Sequence, residues 1–159
     1  MYTLYIGNKN YSSWSLRPWV LMRELGIAFE ERLVPFVPAG QPSPFATFSP
    51  SGKVPCLVDG ATTVWDSLAI AEYLAESHPA VWPDAQPARA FARSASAEMH
   101  SGYSALRETC GMNCGIRVRL HGVSAALQRD LTRLDALWQV GLNRFGGPFL
   151  AGGRFTAGD

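Results

Sequence analysis

The sequence predicts a two-domain protein in which a small α/β domain precedes an all-helical domain. In the first half, stretches with strand and helix patterns follow the order β-α-β and then β-β-α. After residue 87 strand-forming residues become rare, and apolar residues recur at the i, i+3 and i+4 spacing of amphipathic helices. Three prolines within residues 79–87 make a continuous helix improbable there and indicate a linker. We therefore expect domains at 1–78 and 88–159, joined by the linker 79–87.

The elements of the α/β half are each bounded by a turn or cap signal. Gly26 stands where a C-cap glycine ends the first helix, and Asp59-Gly60 is a strong signal for a tight hairpin. A proline-rich loop from Pro35 to Pro50 separates the second strand from the hairpin. The expected strands lie near 2–6, 29–34, 56–59 and 61–65, and the expected helices over about 14–25 and 67–77.

The second half carries helical patterns over 87–109 and 122–145, interrupted by Cys110–Gly115. Cys110 and Cys114 are four residues apart on a predicted helix, and neither a histidine motif nor a second cysteine pair supports a metal site. We expect both thiols to pack inside or between helices. The apolar positions that define the later helix include Leu127, Leu131, Leu134, Leu137 and Trp138.

The end of the chain has the form of a helix start. Thr156 is placed as an N-cap, Asp159 as the acidic residue three positions later, and Phe155 as the first half of a hydrophobic staple. The partner of the staple would be residue 160. This pattern predicts that the natural chain continues into a further helix.

Composition excludes several classes of partner. The chain has 159 residues, 47% hydrophobic residues and a formal net charge of +1, with both signs interspersed. This balance is ample for a core and disfavours nucleic acid and anionic membranes as partners. We see neither a secretory signal nor a window long enough to span a membrane, and the three cysteines contain no CxxC pair. We therefore expect a cytoplasmic protein that binds a small molecule.

A cluster of serines lies where the first strand leads into the first helix. Ser12, Ser13 and Ser15 stand at or beside the predicted helix N-terminus. Free backbone N–H groups and the positive end of the helix dipole favour a thiolate, carboxylate or phosphate at such a place. The alternative is that the serines only cap the helix.

A second motif runs from Lys53 through Val54 to Pro55, directly before a strand. Proline cannot donate a ladder hydrogen bond and is tolerated at the first position of a strand. If the Val54-Pro55 bond is cis, the backbone of Val54 can turn outward and pair with an extended peptide. The alternative is an ordinary turn.

A third motif, Asp66-Ser67, precedes the second predicted helix. The Ser67 hydroxyl and neighbouring amides can hold a carboxylate, while Asp66 supplies negative charge for an ammonium group. Together they suit the head group of a free amino acid. Helix capping alone is again the alternative.

The three motifs, in this order on this plan, resemble the cytosolic glutathione transferases, in which a thioredoxin-like N-terminal domain precedes an all-helical domain. The serines, followed by Arg17, are most similar to the serine-type classes, nearest to the zeta or maleylacetoacetate isomerase group. The resemblance implies that Ser12 or Ser13 stabilises the glutathione thiolate, with Ser12 on the usual catalytic position. It also implies glutathione as co-substrate without a metal, a homodimer, and further helices after Asp159.

The resemblance assigns the remaining glutathione contacts as well. Lys53 would face the glycyl carboxylate, and Val54 would pair with the cysteinyl backbone beside a cis Pro55. Asp66 and Ser67 would bind the γ-glutamyl end.

The implied reaction is attack of the glutathione thiolate on an electrophilic small molecule. Trp14 stands where the zeta group has cysteine. Cis-trans isomerisation is therefore an alternative and not the main expectation. A second alternative is a module that binds glutathione or other ligands without turnover. A thiol oxidoreductase using Cys56 is a further alternative, but serines occupy the positions where that chemistry uses sulfur.

Overall fold

The computed structural model describes residues 1–38 and 40–159, which form two compact units, Met1–Val81 and Trp82–Asp159. The division between the units falls inside the segment expected to be a linker. Among the helices of these described ranges, none is long and apolar enough to cross a membrane.

The first unit contains β1 Tyr2–Ile6, α1 Ser13–Glu24, β2 Phe29–Leu33, β3 Cys56–Asp59, β4 Thr62–Trp65 and α2 Ser67–Ala75. Its strands form a four-stranded sheet in the order β2-β1-β3-β4. Strand β1 pairs in parallel with β2 and antiparallel with β3, and β3 pairs antiparallel with β4. The predicted β-α-β and β-β-α plan is therefore confirmed.

The core of this unit lies between the central strands and the helices. Leu4 on β1 is the direct partner of Leu57 on β3, and both are fully buried. Ile70 and Leu74 on α2 and Met22 on α1 are fully buried as well. Burial of side chains of this size contributes about 1.5–3 kcal/mol each. This core holds the strand ends, and the loops that follow them, in place.

Two glycines lie at the ends of secondary-structure elements, as predicted. Gly26, with φ of 65°, follows α1, and its N–H donates to the carbonyl of Arg23. Gly60, with φ of 57°, turns β3 into β4. Both positions lie in the left-handed region, which glycine adopts without a steric penalty.

A cluster of charged and aromatic groups ties β2 to α1. The Glu31 carboxylate accepts a hydrogen bond from Trp19 Nε1 at 2.7 Å and pairs with Lys9 Nζ at 2.7 Å and Arg23 at 3.6 Å. Burial raises the pKa of Glu31, but hydrogen bonds from Lys9 and Trp19 and the charges of Lys9 and Arg23 outweigh it and leave the pKa below its ordinary value.

Glu31→Gln is expected to remove a pH-dependent part of the stability. Because the folded-state pKa is lowered, the carboxylate stabilises the fold above the unfolded pKa, and this contribution is lost as pH falls through the folded value. Denaturant unfolding should show a deficit of about 1 kcal/mol for the variant near neutral pH that shrinks towards about pH 3. Glu24→Gln, an exposed carboxyl on α1, is the control. A deficit independent of pH would contradict the assignment.

The second unit is helical, as predicted. It contains α3 Gln86–Ser101, α4 Ser104–Thr109 and α5 Ala125–Phe145. The segment expected to be one helix over 87–109 breaks at Gly102-Tyr103, where Tyr103 takes the left-handed conformation with φ of 60°. The Tyr103 hydroxyl donates to Glu98, and Arg133 binds the same carboxylate at 2.6 and 2.7 Å. These contacts connect α3 and α5 across the break.

The prediction that Cys110 and Cys114 pack inside or between helices is wrong. Helix α4 ends at Thr109, and both thiols are exposed in the irregular segment that follows.

Only some of the regularly spaced apolar residues of α5 are buried. Leu127 and Leu137 are buried, whereas Leu131 and Trp138 are 37% and 48% exposed.

The predicted capping box at the chain end is confirmed in its hydrogen bonds. The Thr156 N–H donates to Asp159 Oδ2 at 2.9 Å, and the Gly158 N–H donates to Thr156 Oγ1 at 3.2 Å. The Phe155 ring packs edge-on against Phe149. The partner of the staple beyond Asp159 stays a prediction.

Candidate functional site

The serine cluster divides into hydroxyls turned inward and one turned outward. Ser12 is the N-cap of α1 and is buried, but its hydroxyl makes no cap hydrogen bond. It donates instead to Ser15 Oγ at 2.9 Å, and the same oxygen accepts the Gly7 N–H at 3.0 Å. Ser15 thus ties the end of β1 to the first turn of α1. Sequence reasoning gave Ser15 no separate role, although its position three residues after Ser12 placed it on the same helix face.

Ser13 is differently placed. It is the first residue of α1 and is half-buried, and its hydroxyl has no hydrogen bond within the described part of the chain. Hydroxyls at a helix N-terminus lie where the dipole and the unpaired N–H groups stabilise negative charge. Of the two predicted catalytic serines, Ser13 is therefore the one able to donate to a bound anion without breaking an internal bond.

The bond between Val54 and Pro55 is cis, as the resemblance implied. Pro55 is buried directly before β3, while Val54 is half-buried and Lys53 exposed. Among residues 1–38 and 40–159, Lys53 forms no ion pair within 4 Å. Its ammonium group is available to a carboxylate from outside the protein.

Asp66 and Ser67 begin helix α2. The Asp66 carboxylate accepts hydrogen bonds from the N–H groups of Leu68 at 2.8 Å and Ala69 at 3.3 Å, so the predicted capping is present. Asp66 also has a φ of 82°, which is uncommon for a residue with a side chain. The hydroxyl of Ser67 is buried and has no hydrogen-bond partner in the described ranges. An unpaired buried hydroxyl at a helix N-terminus is a site that an incoming acceptor would satisfy.

Strand pairing brings the three motifs to one end of the sheet. Tyr5 on β1 is the partner of Cys56 on β3, which is also the partner of Trp65 on β4. The serine loop follows β1, Pro55 precedes Cys56, and Asp66 follows Trp65. Because these pairs lie side by side, the loops that carry the motifs leave the sheet at the same end.

Cys56 does not fit the oxidoreductase alternative. Its side chain is fully buried, and its thiol lies 3.6 Å from the carbonyl oxygen of Phe48. Burial raises the pKa of this thiol, and a hydrogen bond involving Ser49 offsets that only in part. The reactive thiolate is therefore disfavoured.

A thiol reagent such as a maleimide is expected to modify Cys110 and Cys114 but not Cys56 in the folded protein. The first two thiols are exposed, whereas Cys56 is buried. Mass spectrometry of native and denatured samples would separate the sites, and Cys56→Ser is the control. Native labelling of Cys56 at the rate of the exposed thiols would contradict this placement.

Comparisons with known proteins identify relatives of this chain. Residues 11–77 match the glutathione S-transferase N-terminal domain. Glutathione S-transferase F10 of Arabidopsis thaliana is 37% identical over 71 residues, covering 44% of this chain and 33% of the relative. Glutathione S-transferase T1 of the same plant is 30% identical over 135 residues, covering 76% of this chain and 55% of the relative. The chain thus spans between one third and about half of the length of these curated relatives.

Solved structures match over nearly the whole chain. The theta class glutathione S-transferase from Xanthomonas axonopodis pv. citri, solved with glutathione bound, is 28% identical with a TM-score of 0.65. The match covers 99% of this chain and 77% of that one. The predicted fold, a thioredoxin-like α/β domain followed by a helical domain, is confirmed. The grouping with the maleylacetoacetate isomerases stays a prediction.

Proposed function

We propose, from the match of residues 11–77 to the glutathione S-transferase N-terminal domain, that this chain acts as a glutathione S-transferase: it binds reduced glutathione and joins its sulfur to an electrophilic small molecule. The observation that carries the proposal is the meeting of three motifs at one end of the sheet, each suited to a different part of the tripeptide.

The proposed binding mode follows the chemistry of these groups. The exposed Lys53 ammonium pairs with the glycyl carboxylate. The backbone of Val54, turned by the cis Pro55, pairs with the cysteinyl residue as an added strand would. The unpaired Ser67 hydroxyl donates a hydrogen bond to the γ-glutamyl carboxylate, and Asp66 pairs with the adjacent ammonium group.

We assign the sulfur contact to Ser13. Its half-buried hydroxyl is open to a ligand, whereas the hydroxyl of Ser12 is committed to Ser15. A free thiol with a pKa near 8.5 is only about 3% ionised at neutral pH. Lowering that pKa by about 2 units requires about 2.7 kcal/mol. One charge-assisted hydrogen bond supplies about 1.5–3 kcal/mol and a helix end about 0.3–1 kcal/mol, so the two together suffice.

The serine acts as a hydrogen-bond donor and not as a nucleophile. The sulfur electron pair attacks the electrophilic carbon, a C–S bond forms, the leaving group departs with its bonding electrons, and the thiol proton passes to solvent. The ionised fraction rises about 25-fold, but intrinsic nucleophilicity falls about 8-fold. Most of the acceleration must therefore come from holding the electrophile against the sulfur.

Calorimetry with reduced glutathione, followed by a conjugation assay, tests the proposal. Binding together with conjugation is the expected result. Binding without turnover would favour the ligand-binding alternative, and absence of binding would overturn both. The match to the glutathione S-transferase N-terminal domain also supports a homodimer acting in the cytoplasm, which sedimentation and cell fractionation would check.

A further inference from the structure

Two exposed cysteines lie near each other in the sequence, directly after α4. Cys110 and Cys114 are both exposed, and three residues separate them. They belong to the connection between α4 and α5, residues 110–124, which forms neither helix nor strand. We call residues 110–114 the dithiol loop. The proposed glutathione site uses neither of its thiols.

The two ends of the dithiol loop are held by hydrogen bonds. The Cys110 N–H donates to the carbonyl of Leu106 at 2.8 Å, so Cys110 continues the last turn of α4. The Gly115 N–H donates to Asn113 Oδ1 at 2.9 Å, which closes a turn at Cys114. A disulfide requires Cα atoms about 4.4–6.8 Å apart. Three intervening residues allow this separation, because residues four apart in a helical turn already have Cβ atoms about 5–6 Å apart.

The middle of the dithiol loop is free to adjust. Among the described residues, the backbone groups of Gly111, Met112 and Asn113 have no hydrogen-bond partner. Glycine at position 111 also widens the range of backbone angles that the loop can adopt. The two sulfurs can therefore meet without the loss of a backbone hydrogen bond inside the loop.

The chain that follows the dithiol loop carries positive charge. No acidic residue lies between Glu108 and Asp130 in the sequence, whereas Arg117 and Arg119 do. Both arginines are exposed, and within the part of the chain that the structure describes neither forms an ion pair. Exposed cations raise the local concentration of anionic reactants. The loop is therefore suited to react with a small disulfide that carries negative charge.

We propose that Cys110 and Cys114 form a reversible dithiol–disulfide pair that exchanges with small anionic disulfides, with oxidised glutathione as the representative reagent. Disulfides that are exposed are typically the labile ones, whereas structural disulfides resist reduction by thiols. The inference goes beyond the proposed function and does not depend on it, because the loop lies in the second unit and needs no reduced glutathione bound to the first.

The exchange takes place in two balanced steps. The sulfur of Cys114, the thiol nearer in sequence to Arg117, attacks one sulfur of oxidised glutathione. The S–S bond of the oxidant breaks, and its other half leaves with the bonding electrons and takes up the proton of the attacking thiol. The sulfur of Cys110 then attacks the sulfur of Cys114, and the second glutathione leaves as a thiol in the same way. Two protein thiols are thereby oxidised to one disulfide, and one oxidised glutathione is reduced to two thiols.

Mass spectrometry of the reduced protein after incubation with oxidised glutathione and acid quenching tests the pair. We expect a product lighter by two hydrogen atoms, a peptide map that joins Cys110 to Cys114, and return of the dithiol with excess reduced glutathione. Cys110→Ser should instead stop at a mixed disulfide on Cys114, because the resolving thiol is missing. Both residues are exposed and lie outside helices and strands, so the serine variants should keep the thermal stability of the unmodified protein.

The role of the arginines is tested by a matched pair of reagents. In Arg117→Gln/Arg119→Gln at low salt, we expect the rate with oxidised glutathione to fall about fivefold. The rate with bis(2-hydroxyethyl) disulfide, which is uncharged, should stay unchanged. Arg32→Gln removes an exposed cation from β2 in the first unit and should leave both rates unchanged. Equal changes of the two rates in the double variant would overturn the choice of an anionic reagent.

Three results would overturn the pair itself. They are stable mixed disulfides on both cysteines of the unmodified protein, disulfides between protein molecules on a non-reducing gel, and an internal disulfide that excess reduced glutathione does not reverse. Calorimetry keeps this inference separate from the proposed function. Absence of reduced-glutathione binding alongside normal exchange would overturn only the proposed function, and normal binding without exchange would overturn only the dithiol pair.

Discussion

Ser13→Ala is expected to raise the pKa of the bound glutathione thiol and to lower kcat/KM about 10- to 100-fold near neutral pH. The variant removes a charge-assisted hydrogen bond of about 1.5–3 kcal/mol to the thiolate. A pH titration of the ultraviolet thiolate absorbance in the complex would measure the pKa. The loss of rate should diminish at alkaline pH, where the thiol ionises without assistance.

Ser12→Ala is the matched comparison. This change removes a buried hydrogen bond to Ser15, so we expect a loss of about 0.5–1.5 kcal/mol in the free energy of unfolding and a smaller effect on the thiol pKa. A larger effect on the thiol pKa from Ser12→Ala than from Ser13→Ala would reassign the donor to Ser12, the position that the family resemblance favours.

Substitutions at Asp66 are expected to separate helix capping from ligand binding. Asp66→Asn retains an oxygen that can accept from Leu68 and Ala69 and tolerates the φ of 82°. We therefore expect a nearly unchanged free energy of unfolding and about tenfold weaker glutathione binding, because the ammonium group loses its anionic partner.

Asp66→Ala removes the cap as well. It should lower the free energy of unfolding by a further amount of about 1 kcal/mol and weaken glutathione binding at least as much as Asp66→Asn. Thermal unfolding and calorimetry on both variants provide the measurements. Equal glutathione affinity in Asp66→Asn and the unmodified protein would show that the carboxylate only caps the helix.

Much of the first unit is predictable because its signals are local. Gly26 and Gly60 end elements through their own backbone freedom, and Asp66 caps a helix through bonds to residues two and three positions later. In the second unit, the capping box from Thr156 to Asp159 is equally short in range. Interactions within three or four residues are visible in a sequence pattern, and these predictions are confirmed.

The features of the second unit that the sequence pattern leaves open have a different origin. Leu131 and Trp138 share the apolar spacing of Leu127 and Leu137, yet only the latter two are buried. Spacing identifies a helix face but not which part of it meets another element. Likewise, the break at Gly102-Tyr103 is stabilised by Glu98 and Arg133, and Arg133 is distant in sequence. Contacts of this kind exist only after the helices have packed.

The sequence by itself determined the order of strands and helices, the turns between them and the three motifs that suit a glutathione-like ligand, because each depends on the conformational preferences of a few neighbouring residues. Only the tertiary structure decided that the motifs share one end of the sheet and that Ser12 turns inward while Ser13 stays open. Strand register and side-chain burial depend on contacts between residues that are far apart in the chain, and a local sequence pattern does not show which of these residues will meet.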